Sequence, residues 1–190
     1  MQNRQLTADS RPWLTEQAIE FIENLCQTNP NLKILEFGSG GSTIWFAQRT
    51  NHLVSIEHNP KWYNSVTQVL EDLNLNNLNL SNLISEPNSL ITQVTRKLLS
   101  PPAYYQVCAE FSDNYFDLIL IDAIERINCA MQAVRILKPG GALMLDNCER
   151  PQYLPIYENL KTWPLTKTVQ IVTQNNQEIT HYTDWWIKPN

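Results

Sequence analysis

Ile34-Leu35-Glu36-Phe37-Gly38-Ser39-Gly40-Gly41-Ser42-Thr43 is the stretch whose reading decides the fold. A short apolar run ends in an acid, turns through glycines and continues into a helix-like segment. That order describes a strand delivering a nucleotide-type cofactor to the N-terminus of a helix. Glycine has no Cβ and tolerates positive φ, so this turn lets the backbone approach a ligand closely. A GxGxxG dinucleotide fingerprint would need glycine where Thr43 stands, and no GxxxxGK[ST] phosphate loop occurs. Glu36, two residues before the first glycine, points instead to a cofactor that carries a cation near the turn.

Working outward, strand and helix signals alternate. Residues 32–37 read as a buried strand, 42–50 as a helix and 53–57 as a second strand. Asn59-Pro60 opens a helix to about Leu73, with Pro60 suited to the first turn. Residues 78–84 are expected as a third strand and 88–99 as a helix stopped by Pro101-Pro102. Residues 116–122 form a strongly apolar fourth strand. A helix over 126–137 is closed by Lys138-Pro139-Gly140-Gly141. The fifth strand starts at Ala142 and ends at Asp146-Asn147. A short helix is expected over 153–161, and strands over 167–173 and 179–187 make a hairpin. Ahead of the core, Thr15 is the expected N-cap of a helix carrying Ala18, Ile19, Ile22, Leu25 and Cys26 at helical spacing. The fold class is α/β: a doubly wound, Rossmann-like mixed sheet of seven strands with a C-terminal antiparallel hairpin. It is read as one domain over 1–190, with a helical cover at 1–30, a cofactor-binding core at 32–147 and the closing hairpin at 163–187.

Composition narrows the function classes. Hydrophobic residues make up 43% and charged residues 17% of the 190, and the formal charge is −5. No Lys/Arg-rich run is present to neutralise phosphates, which argues against a nucleic-acid or anionic-membrane partner. Cys26, Cys108, Cys129 and Cys148 are scattered without a CxxC pair, as reduced thiols of a cytoplasmic protein are. His52, His58 and His181 lack metal-ligand spacing. Met1 to Gln5 have no apolar stretch behind them, so no signal peptide is expected. No apolar run reaches the length of a membrane span, about 18 residues.

In open α/β sheets ligands bind beyond the carboxyl ends of the strands. Acids stand at or near five such ends: Glu36, Glu57, Glu86, Asp122 and Asp146-Asn147. Like charges on one rim raise one another's pKa values, which makes sense where cations or hydroxyls arrive. Glu57, about 20 residues after the turn, suits both ribose hydroxyls of a nucleoside. His58 could lie along an adenine face or be an ordinary surface histidine. Glu86, after the expected third strand, could accept from an adenine amine.

ILEFGSGGS, VSIEHNP, FDLILIDA and LKPGGALMLDN together resemble the successive motifs of class I S-adenosylmethionine-dependent methyltransferases. The resemblance covers residues 32–147, and the closing hairpin is similar to that fold's last two strands. It implies strand order 3-2-1-4-5-7-6. It implies that Glu36, Gly38, Ser39 and Gly40 hold the methionine end of S-adenosylmethionine, while Glu57 holds the ribose.

A narrower similarity links Asp122, Asp146 and Asn147 to metal-dependent O-methyltransferases of the catechol type, where such a trio holds a divalent cation. All-oxygen ligands imply Mg²⁺. A metal-bound hydroxyl loses its proton readily and becomes the nucleophile. Those enzymes carry a lysine three residues after the strand-four Asp. Here Glu125 and then Arg126 stand there, which opens a proton-accepting role to the first and an anion-binding role to the second. Trp13 is the aromatic expected against a flat or apolar acceptor, Tyr104 and Tyr105 are expected in a lid, and Arg150 is a candidate for an anionic group. The resulting expectation is a methyltransferase acting on a small-molecule acceptor at oxygen through Asp122, Asp146 and Asn147. An aminopropyl transferase on the same scaffold and a non-catalytic cofactor-binding module remain as alternatives.

Overall fold

The computed structural model describes residues 6–29, 31–75, 93–174 and 177–190. Seven strands form one sheet in the order β3-β2-β1-β4-β5-β7-β6. β1 (Lys33–Phe37), β2 (His52–Glu57), β3 (Gln93–Leu98), β4 (Phe116–Ile121) and β5 (Leu137–Asp146) run parallel. β7 (Gln177–Ile187) pairs antiparallel with β5 and with β6 (Leu165–Gln174). The expected mixed sheet and its strand order are therefore present.

Helices cover both faces, which is why the central strands are apolar throughout rather than alternating. Side chains of a strand point alternately to opposite faces. Leu35, Phe37, Ile119, Ile121, Leu143 and Leu145 enter one core beneath α5 (Arg126–Ile136) and α6 (Leu154–Asn159). Ile34, Leu118, Leu120 and Met144 enter the other, against α1 (Glu16–Thr28), α2 (Gly41–Ala47) and α3 (Pro60–Asp72). Each fully buried aliphatic side chain contributes about 1.5–3 kcal/mol, so both layers are needed to hold the strand ends in register.

Local chemistry fixes the helix starts. Asn59 caps α3, its side chain accepting from Lys61 N at 3.0 Å and Trp62 N at 3.2 Å. Thr15 stands at the N-cap of α1 but does not cap it. Its hydroxyl lies 2.5 Å from that of Thr168 on β6, and its amide donates to Thr183 on β7 at 3.2 Å. The start of α1 is thereby tied to the hairpin.

Two expectations are corrected. Residues 93–98, placed in a helix over 88–99, form strand β3 and pair in parallel with β2 from His52–Gln93 to Glu57–Leu98. β3 is the sheet's edge, and its polar residues do not carry the apolar signature of a central strand. Tyr104 belongs to no lid: it is wholly buried in the first core, on the short helix α4 (Ala103–Gln106), with its hydroxyl donating to Ile56 O at 3.3 Å. The strand expected over 78–84 lies outside the described residues. All four cysteines are free and buried. Among the described residues no helix is long and apolar enough to cross a membrane.

Candidate functional site

The carboxyl ends of β1, β2 and β4 open into a cleft of about 900 Å³. That is the upper part of the range for small-molecule sites, roughly 300–1,000 Å³, which leaves room for a cofactor and an acceptor together. Gly38 to Ser42, Glu57, His58, Asn59, Trp62, Asp122 and Ala123 line one wall. Trp13, Leu14 and Ile19 at the start of α1, with Gln170, Val172, Ile179 and His181 of the hairpin, line the other.

Gly38 has φ +92°, and a Cβ there would lie 2.0 Å from Asp122 O. Only glycine fits, because the β1 and β4 ends meet at this point. A Cβ on Gly41 would lie 2.6 Å from Arg11 O, where the N-terminal segment crosses the turn. Glycine is thus required for close backbone packing as well as for an open floor.

Glu57 is 3% exposed and clamps the turn. Its Oε2 accepts from Ser39 N at 2.9 Å and Ser39 Oγ at 3.1 Å. Its Oε1 accepts from the amides of His58 and Asn59, both at 2.8 Å. These four donors match the roughly four acceptor positions of a carboxylate. The Trp62 indole donates to Ser39 O. His58 lies with Nδ1 3.0 Å from Glu57 Oε1 and its ring edge-on to Tyr104.

Glu36 differs from its expected role. It is wholly buried and does not line the cleft. Its carboxylate accepts from Ser42, from Thr43 at 2.6 Å and from Ser55 at 2.8 Å. Strand alternation turns it toward α2, so it holds the helix start from beneath. Burial pushes its carboxyl up to about 7, against the pull of those hydroxyls. Glu86 lies outside the described residues. The strand beside β2 ends at Leu98, so Leu99 and Ser100 follow it instead.

Arg96 on β3 was not found from sequence. It is 6% exposed, donates to Ser39 Oγ at 2.9 Å and Tyr63 O at 2.8 Å, and stacks 4.2 Å from the Tyr63 ring centre. Among the described residues its Nε has no hydrogen-bond partner. Desolvation lowers its pKa, partly offset by Tyr63, Glu36 and Glu57. Gln170 and His181 were also missed, because nothing in a hairpin sequence says which face meets the cleft.

Asp122, Asp146 and Asn147 are brought together, yet the space between them holds a guanidinium. Arg126 donates to Asp122 Oδ1 at 2.7 Å, to Asn147 Oδ1 at 3.1 Å and to the Asp146 carbonyl. The Asp146 carboxylate accepts from Thr183 Oγ1 at 2.8 Å. Only Asp122 of the three lines the cleft. Desolvation raises Asp122 despite Arg126 beside it. Asp146 is pushed up to about 7 by burial and then by the charge of Asp122. Among the described residues no three His, Cys, Asp or Glu side chains gather to hold a metal ion. The trio as arranged does not fit a divalent cation. The anion-binding role expected of Arg126 is corrected too, since its donors are engaged within the protein. Glu125 is exposed, outside the cleft, and accepts from Asn128 at 2.7 Å.

No family model matches the chain. A curated relative, the ubiquinone/menaquinone biosynthesis C-methyltransferase UbiE of Erwinia tasmaniensis, is 33% identical over 88 residues, taking in 39% of this chain. The matched part spans only 35% of that relative's length. Among solved structures, the O-methyltransferase from Bacillus cereus in complex with SAH superposes with a TM-score of 0.64 at 21% identity, covering 92% of this chain and 82% of that one. An rRNA methylase from Streptococcus thermophilus gives 0.63 at 12% identity, covering 93% and 99%. The chain has the class I S-adenosylmethionine-dependent methyltransferase fold. C-, O- and RNA-methylating proteins all appear among these similarities, so the fold leaves the acceptor open.

Proposed function

We propose that this chain transfers the methyl group of S-adenosylmethionine to a hydroxyl oxygen of a small-molecule acceptor. The observation that carries this reading is the cleft itself. A glycine-floored turn, Glu57 and Asp122 share the cleft with a partly apolar lining, and the volume suits two ligands. S-Adenosylmethionine, when bound, supplies a methyl group already activated on a positively charged sulfur.

The protein's part is then placement and proton handling. Gly38, Ser39 and Gly40 bring backbone to the methionine end. Glu57 takes one ribose hydroxyl by exchanging the Ser39 hydroxyl for it. His58 and Trp62 flank the nucleoside. Trp13, Ile19, Val172 and Ile179 give the acceptor an apolar bed. Asp122 accepts the acceptor's hydroxyl proton on the carboxylate oxygen that Arg126 does not hold. Desolvation makes it a stronger base than an ordinary aspartate. A small acceptor suits a −5 chain with no basic run and a partly apolar cleft wall.

The test is incubation with methyl-labelled S-adenosylmethionine and a panel of phenols, catechols and aliphatic alcohols. Label appearing on an alcohol oxygen is the expected result. Transfer only to amines or to RNA would overturn the oxygen and small-acceptor assignments.

A further inference from the structure

Arg126 breaks a local rule. It is the first residue of α5, and a helix N-terminus carries positive partial charge that disfavours a cation. The preceding Glu125 adopts a left-handed conformation, φ 53°, uncommon outside glycine. Asn147 does the same at φ 49°. These two turns bring the start of α5 and the end of β5 around one guanidinium that is only 7% exposed.

Four of its five N–H donors are placed. Nε goes to Ala123 O at 2.7 Å, one terminal nitrogen to the Asp146 carbonyl, and the other to Asp122 Oδ1 at 2.7 Å and Asn147 Oδ1 at 3.1 Å. The Tyr153 ring centre lies 5.7 Å from the guanidinium carbon. Asn147 Oδ1 also accepts from Arg150 at 3.3 Å. Asp122, Asp146 and Asn147 are the groups that a catechol-type enzyme would present to a divalent ion.

The geometry points to Arg126 as the resident cation of this site, a fixed guanidinium that holds Asp122 and Asn147 together in place of a divalent metal. A divalent ion here would need near-octahedral oxygen ligation. To admit one, Arg126 would have to leave a buried position and break its contacts to all four strand-end partners, an expensive rearrangement. Arginine suits the role because its planar fork stays charged and satisfies several fixed acceptors at once.

The consequence for chemistry rests on the methyl-transfer reading. With the Arg126 guanidinium standing among Asp122, Asn147 and the Asp146 carbonyl, the acceptor need not be a vicinal diol. One hydroxyl placed at Asp122 is enough.

The test is titration of Mn²⁺, followed by electron paramagnetic resonance, into the full chain saturated with S-adenosylhomocysteine. Wild type is expected to retain no stoichiometric Mn²⁺ up to about 1 mM, the weak end of divalent-ion affinities. Arg126→Ala is expected to take up one Mn²⁺ per chain, and Arg126→Lys, which keeps a charge there, to stay like wild type. Tight stoichiometric Mn²⁺ on wild type would overturn the proposal. So would an Arg126→Ala protein, folded by circular dichroism, that binds no more than wild type. If that variant does not fold, wild type and Arg126→Lys decide. Calorimetry with S-adenosylhomocysteine on wild type reads the cofactor assignment separately, so failure of one leaves the other standing.

Discussion

Two carboxylates flank the cleft floor, each with a buried arginine nearby, and they are built differently. Glu57 is 3% exposed, and four hydrogen bonds from Ser39, His58 and Asn59 occupy it. Its arginine, Arg96, is linked to it by hydrogen bonds through the Ser39 hydroxyl. Asp122 has a side chain 36% exposed and touches its arginine directly. The first arrangement holds the carboxylate among fixed donors, which suits binding a polyol edge. The second leaves one oxygen facing the cleft on a group whose pKa is raised, which suits moving a proton. The same pair of residue types thus supports binding on one side and acid–base chemistry on the other.

The comparison is broken most severely at Asp122. Asp122→Asn keeps the shape and removes the base, so kcat should fall by about 10²–10⁴ while S-adenosylhomocysteine affinity changes little. In wild type the acid limb of kcat/KM should lie above the ordinary Asp range of about 3.9. An unchanged kcat in Asp122→Asn would remove the proton-accepting role.

Gly38→Ala strikes the point where the two sides meet. A Cβ 2.0 Å from the Asp122 carbonyl, on a backbone at φ +92°, forces β1 and β4 apart. It should cost about 3 kcal/mol or more of stability, read from urea midpoints, and abolish cofactor binding with it. Glu57→Gln sharpens the contrast instead. It keeps an acceptor but loses the charge, and should weaken S-adenosylhomocysteine binding by about 1–2 kcal/mol in calorimetry with little effect on kcat at saturation.

Glu36 lines neither side of the cleft and acts on stability alone. Its carboxyl is raised from an ordinary 4.5 to about 7 in the fold. The folded state therefore binds this proton more tightly than the unfolded chain. The contribution to stability is full below about pH 4.5 and is lost as pH rises through about 7. Asp146, raised to about 7, acts in the same direction. Urea midpoints should fall from pH 5 to pH 8, and Glu36→Gln should flatten that slope. An unaltered slope would show that Glu36 is not the titrating group.

Much of this is legible in the sequence. The β1 apolar run, the glycine turn, Glu57 and the Asp122 strand end carry local signals, because buried parallel strands must be apolar and close turns must be glycine. β3 did not, because an edge strand written Gln-Val-Thr-Arg-Lys-Leu lacks the apolar run and reads equally as helix. Arg96 was lost with it. Glu36 was misread because an acid before a glycine turn gives no sign of which sheet face it takes. Asp122, Asp146 and Asn147 stand around the Arg126 guanidinium, a contact that their strand-end positions do not announce. The guanidinium arrives there only through the left-handed Glu125, which no spacing pattern announces.

Calorimetric titration of the wild-type chain with S-adenosylhomocysteine tests the central claim most directly. A single site per chain at micromolar affinity, about −8 kcal/mol, lost in Gly38→Ala and weakened in Glu57→Gln, is the predicted result. Absence of binding by the folded wild-type protein would contradict the account and leave the cleft to a different ligand.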